Sequence, residues 1–209
     1  MSSVAYASSV HADAVELRVL GCLLEKQRTT PDQYPLSLNA LRLAANQSTN
    51  RDPVVEYDEA MIRAALYRLA DRRWTRLASG PGSRAVKFRH LLDEALGLSP
   101  PELALLALLM LRGPQTSAEL RTRSERLHPF PSAVDVEQTL TELTAREFVE
   151  RLPRRPGERE ERWRQLLGAD ADSDAPGHQT APLETGASRM DDLERRIAAL
   201  EARLDAAGL

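Results

Sequence analysis

The 209-residue chain is 42% hydrophobic and 28% charged, with a formal net charge of −3, the balance of a soluble globular protein of one or two domains. Its single cysteine, Cys22, excludes a disulfide framework and a cysteine-based zinc site, and its four histidines (His11, His90, His128, His178) show no ligand spacing. Aromatic residues, at 4%, argue against a binding surface built on exposed rings.

In chain order, residues 1–13 are small and polar and are expected to fray. Over 14–27, AVELRVLGCLLEKQ places Leu17, Leu20 and Leu24 on one helical face, with Val19 and Leu23 beside it. TTPDQYPLS reads as a loop marked by Pro31 and Pro35, with Tyr34 as its anchor. Ser37 caps a short helix, LNALRLAAN, and NQSTNRDP is turn-like. Asp58 caps the next helix, whose stripe is Ile62, Ala65, Leu66 and Leu69. Trp74–Ala78 and Ala85–His90 read as two strands around SGPGS.

The second block repeats this order. Pro100 and Pro101 open ELALLALLMLR, a helix apolar on every side and therefore buried. Thr116 or Ser117 caps AELRTRSERL, and AVDVEQTLTELTARE carries the stripe Val136, Leu140, Leu143. Phe148–Leu152 and Glu161–Leu166 are the two expected strands. The blocks align. Ile62, Leu66, Leu69 and Trp74 match Val136, Leu140, Leu143 and Phe148 at a constant offset of 74. Phe88 and Leu91 match Trp163 and Leu166 at 75; Glu16 matches Glu102, and Thr30 matches Thr116. An offset held over core positions points to a duplicated unit.

Three helices followed by a hairpin form the winged-helix arrangement. The expected fold is mainly α (α+β): two tandem winged-helix domains, each three helices plus a two-stranded wing, over 14–92 and 93–167. The strings LRVLGCLLEKQRTTPDQYPLSLNAL (17–41), NQSTNRDPV (46–54) and LRGPQTSAELRTRSERLHPF (111–130) resemble the YceH-like family of uncharacterised bacterial proteins, over about residues 14–167. The resemblance implies a dimeric tandem winged-helix protein; it brings no activity and no catalytic residues.

The net charge hides a division. Residues 14–92 carry 13 Lys+Arg against 8 Asp+Glu, residues 93–167 carry 11 against 13, and residues 168–209 carry 4 against 9. The basic first block points to a polyanion partner. A helix-turn-helix offers the outward face of its third helix to DNA. On a helical wheel, the face opposite Ile62, Leu66 and Leu69 holds Ala60, Ala64, Tyr67 and Asp71, flanked by Arg63 and Arg68. Arg84 and Lys87 in the wing and Arg51 in the preceding turn are candidate phosphate contacts. The candidate DNA-binding set is thus Arg51, Arg63, Tyr67, Arg68, Arg84 and Lys87. The corresponding second-block face holds Glu137, Gln138, Thr141, Glu142 and Ala145, which a phosphate backbone repels; this block is the candidate protein-contact or dimer module, although its wing is basic (Arg151, Arg154, Arg155, Arg159, Arg162).

Residues 168–188 carry four acids and no Lys or Arg and read as a flexible linker. Over 189–209, Met190, Leu193, Ile197, Leu200 and Leu204 form a heptad seam with Arg189 and Arg196 at g and Glu194 and Glu201 at e. In a parallel pair these charges attract, so a short parallel coiled coil is expected, with a lone amphipathic helix as the alternative. No phosphate loop, paired-histidine helix or nucleophile elbow is present in the sequence, so neither an enzyme nor a cofactor is expected. No apolar run approaches the roughly 18 residues that span a bilayer, and the N-terminus lacks a basic n-region, so a cytoplasmic protein is expected. Two functions fit: a dimeric DNA-binding transcriptional regulator, or a structural adaptor using its winged helices for protein contacts.

Overall fold

The computed structural model describes residues 11–78, 86–154, 157 and 160–168. Among them the chain forms helices and two small antiparallel sheets, an α+β architecture. In order these are α1 (Ala14–Thr29), β1 (Leu36–Ser37), α2 (Leu38–Ala45), α3 (Glu59–Asp71), β2 (Thr75–Leu77), β3 (Lys87–His90) and α4 (Leu92–Leu96). There follow α5 (Pro100–Arg112), α6 (Ser117–Ser124), α7 (Ala133–Ala145), β4 (Val149–Leu152) and β5 (Arg162–Gln165).

Side-chain caps set the helix starts. Ser37 accepts from the Ala40 N–H, and Asp58 from the Met61 N–H at 2.8 Å. Asp13/Glu16, Ser99/Glu102, Thr116/Glu119 and Ser132/Asp135 form reciprocal capping boxes on α1, α5, α6 and α7. Each satisfies backbone donors that a helix start leaves without partners.

One apolar core runs through both repeats. Its centre is the pairing of α1 with α5. Every residue of α5 from Glu102 to Leu111 is buried, because α1 covers the side that its own repeat leaves open. The approach is close at Gly21. A Cβ there would lie 2.9 Å from Leu111 Cγ and 3.2 Å from Met110 Cβ. The two halves of the described chain thus share one core through α1 and α5.

Several contacts recur in the two halves. Glu16 pairs with Arg72 at 2.5 Å, and Arg72 lies over the Trp74 ring. Glu102 pairs with Arg146 at 3.0 Å, and Arg146 lies over Phe148. Both third helices end in the same motif. The Trp74 N–H donates to Leu69 O and the Arg73 N–H to Ala70 O; Phe148 donates to Leu143 O and Glu147 to Thr144 O. The turn residues, Arg73 and Glu147, sit at φ 60 and 59, a left-handed position usually taken by glycine.

Several expectations need correction. The first repeat's sheet has three strands, not two: β1 pairs with β3 through Leu36 and Phe88, in the order β1-β3-β2. The second repeat has the same contact as a single bridge, Gln115 to Trp163. A strand of one or two residues leaves no alternation to read. The structural partner of Thr116 is therefore Ser37, the other cap that follows this bridge, rather than Thr30, which ends α1. The extra first-repeat loop between them is held by Tyr34, whose hydroxyl accepts the His90 N–H at 2.9 Å. Residues 12 and 13 are not frayed. Ala12 is buried and donates its N–H to Leu167 O at 2.8 Å, and Asp13 caps α1. Gly168 belongs to this contact rather than to a linker, since a Cβ there would meet Leu17 Cδ1 at 2.5 Å. The heptad seam Met190, Leu193, Ile197, Leu200 and Leu204 lies outside the described residues, as does Arg84.

Candidate nucleic-acid interface

Helix α3 takes the orientation that its stripe dictates. Ile62, Ala65, Leu66 and Leu69 are buried, while Ala60, Arg63, Ala64, Tyr67, Arg68 and Asp71 are exposed. Tyr67 is 66% exposed, well beyond a ring that serves only packing. Arg63 is exposed and makes no ion pair or hydrogen bond among the described residues. Ala60 and Ala64 leave the helix surface low on either side of it. This face offers one unengaged guanidinium, one phenol and little steric bulk, which suits close approach to a groove.

The other expected cations are placed differently. Arg68 is half exposed, and its Nη2 is 2.5 Å from Asp13 Oδ2, with its Nε 3.4 Å from Glu16 Oε1. It shares Glu16 with Arg72, so the capping box of α1 doubles as an anionic clasp on the C-terminal half of α3. Lys87 is half-buried in β3 and already engaged in a polar or electrostatic contact.

Arg51 is not a phosphate contact. Its side chain is 0% exposed, donating to both Glu25 oxygens, at 3.1 and 2.6 Å, and to Gln47 and the carbonyls of Ala44 and Asn50. Burial alone would lower its pKa, yet the hydrogen bonds and charge of Glu25 outweigh it and the net direction is upward. Burial likewise works against Glu25, which Arg51 carries net downward. Arg18, also buried, donates to Ala45 O and Pro53 O. Two buried arginines thus fix the polar string 46–54, and Asn46 closes it with two bonds to Tyr57. Sequence spacing gives no hint of which arginine turns inward; the facing carboxylate of Glu25 decides it for Arg51, and the carbonyls of Ala45 and Pro53 for Arg18. Cys22, beside this cluster, is buried and pushed up to about 11 by desolvation, which makes it an inert thiol.

The second repeat presents a different third helix. Gln138, Thr141, Glu142 and Ala145 of α7 are exposed, and Gln138 donates to Glu142 at 2.8 Å. Its wing arginine Arg151 is engaged by Glu161 at 3.0 Å, approached by Glu137 at 3.8 Å, and stacked over Trp163. A cleft of about 1280 Å³ lies where the two repeats' third helices end, lined by Arg72, Arg73, Trp74, Arg146, Glu147 and Phe148 among others. Arginines and carboxylates are mixed along it, so its charge selects no ligand class.

Sequence reasoning missed Asp13. The signal was present: Asp13-x-x-Glu16 ahead of an apolar run is a capping-box pattern, which fixes the helix start and both carboxylates. Among the described residues no group of three or more His, Cys, Asp and Glu has metal-binding geometry, and no helix is long and apolar enough to cross a membrane.

The geometry defines a duplicated α+β scaffold of two three-helix-and-hairpin repeats on one core, of which the first exposes an arginine-bearing helix. The chain belongs to the family described as "Protein of unknown function, DUF480", whose model matches residues 12–158. It is 48% identical over 202 residues to a UPF0502 protein of Shewanella amazonensis, covering 93% of this chain and 96% of that one. It is 50% identical over 194 residues to one from Geotalea daltonii (92% and 88%) and 43% over 206 residues to one from Pseudomonas syringae pv. tomato (95% and 92%). The family likeness carried by the three sequence strings is thereby established.

Proposed function

We propose that this is a tandem winged-helix protein that binds double-stranded DNA through the exposed face of α3, acting in the cytoplasm as a homodimeric regulator of transcription. On this reading it has no catalytic role. The repeated order of three helices and a hairpin, with a short strand ahead of the second helix pairing to the hairpin, supports the winged-helix assignment. The single observation that carries DNA binding is Arg63. It stands outward on the third helix of the basic repeat, next to Tyr67 and between two alanines, with no carboxylate engaging it among the described residues. Phosphate neutralisation by Arg63 and Arg68 supplies affinity, and entry of α3 into the major groove supplies base contacts. The homodimer is the part of the proposal that the coiled-coil seam of 190–204 carries.

The test is fluorescence anisotropy with a labelled DNA duplex across a salt series. Losing Arg63 and Arg68 together lowers the log–log salt slope by at least about 0.9, the value of one phosphate contact, since Arg68 is already paired with Asp13 in the parent. Unchanged affinity and slope in Arg63→Ala/Arg68→Ala would refute this site.

A second reading, a structural adaptor, draws on α7. Its outward face is polar and acidic, and Val134 at its start is 74% exposed. An adaptor shows no salt-sensitive DNA binding, so the same titration separates the two.

A further inference from the structure

We propose that Asp13 is a built-in competitor for phosphate, a fixed anion that occupies Arg68 and holds down the affinity of the α3 face for nucleic acid. The inference rests on the DNA-binding reading above and adds its regulation.

The two oxygens of Asp13 have separate tasks. Oδ1 accepts the Glu16 N–H at 2.8 Å and so caps α1. Oδ2 faces Arg68 Nη2 at 2.5 Å. The carboxylate is held by its cap to the Glu16 N–H, and the backbone before it is pinned: the Ala12 N–H donates to Leu167 O at 2.8 Å and Ala12 is buried. Glu16, the other acid near Arg68, is buried and committed to Arg72 at 2.5 Å. The Asp13–Arg68 pair is instead half exposed on both sides, with side chains 49% and 44% accessible. A solvated pair of this kind is weak and exchangeable. A phosphate can therefore take over the outer N–H of Arg68, but only against the charge of Asp13, which stays in place beside it.

The substitution Asp13→Asn isolates this effect. Asparagine is as good an N-cap as aspartate and keeps an oxygen for the Glu16 N–H, so the fold is retained. Binding of a fluorescein-labelled duplex of mixed sequence is measured by anisotropy for the full-length protein, D13N, R68A and D13N/R68A. D13N is expected to bind about fivefold more tightly at about 50 mM salt and to steepen the log–log salt slope by about 0.9, the value of one added phosphate contact. In the R68A background the gain disappears. Equal binding by the parent and D13N overturns the inference while leaving the DNA-binding reading intact. A gain undiminished in R68A also overturns it, because Asp13 then acts only as a local repulsive charge. No binding by any of the four overturns both readings together.

Discussion

In the first repeat, Glu16 holds Arg72 over Trp74; in the second, Glu102 holds Arg146 over Phe148. At the strand ends, His90 Nδ1 accepts the Leu92 N–H, and Gln165 Oε1 accepts the Leu167 N–H two residues on. These interactions recur at corresponding framework positions of the two halves. They diverge where the repeats meet solvent: α3 turns out Arg63 and Tyr67, whereas α7 turns out Gln138, Thr141 and Glu142. The shared contacts lie in the framework and the differences on the outward face of the third helix, which is why DNA binding is proposed for one repeat alone.

The sharpest way to break the comparison is at Arg51. Removing it by Arg51→Ala leaves the partly buried Glu25 with only Lys26, 3.4 Å away, and frees the 46–54 string from its anchor. We expect a loss of about 3–5 kcal/mol in urea unfolding. A loss below about 1 kcal/mol, the range of a surface pair, would mean that the cluster is solvated.

His90 gives a pH-dependent contrast. Burial pushes its imidazole down to about 4, and its Nε2 lies 2.7 Å from Gln27 Oε1. The folded state therefore disfavours the proton that the unfolded chain binds near 6.5. The contribution is fully present above about pH 6.5 and is lost as pH falls from there toward about 4, a change on the order of 3 kcal/mol. His90→Gln installs the side chain that the second repeat uses at the matching place. Chemical denaturation from pH 7.5 to 5 should show a slope in the parent that flattens in the variant; equal slopes would place the proton elsewhere.

The fused core is probed by Gly21→Ala. The added methyl enters between Leu111 and Met110, and overpacking of about 1–3 kcal/mol outweighs the gain of about 1 kcal/mol in helix propensity. A lower melting temperature is expected, and a higher one would show that α1 and α5 can part without loss. The smallest effects test equivalence. Arg73→Gly and Glu147→Gly both relieve a left-handed residue, and each should stabilise by about 0.5–1 kcal/mol. Unequal gains would reveal contacts made by one side chain alone.

Much of the fold was legible because burial leaves periodic marks. The stripes Ile62–Leu66–Leu69 and Val136–Leu140–Leu143, the caps Ser37, Asp58 and Thr116, and the offset of 74 located α2, α3, α6 and α7, and the apolar runs after residues 14 and 100 located α1 and α5. The short strand β1 was illegible because two residues carry no period, and α4 because five residues give barely one turn. For the site, helical geometry placed Arg63, Tyr67 and Arg68 outward correctly. It could not report that Asp13, 55 positions away in sequence, sits on Arg68, or that Glu25 draws Arg51 inside. Pairing of charges across the fold is a tertiary fact, with no local signature beyond the Asp13–Glu16 capping pattern.

The central claim is that only the first repeat's third helix meets DNA. It is tested most directly by anisotropy titration of one labelled duplex with three full-length proteins: the parent, Arg63→Ala/Tyr67→Ala in α3, and Gln138→Ala/Thr141→Ala in α7. The account predicts at least about a tenfold loss for the α3 variant, since good groove contacts contribute about 1–3 kcal/mol each, and no more than about a twofold change for the α7 variant, as for neutral surface substitutions. Loss of binding in the α7 variant with the α3 variant unaffected would contradict it.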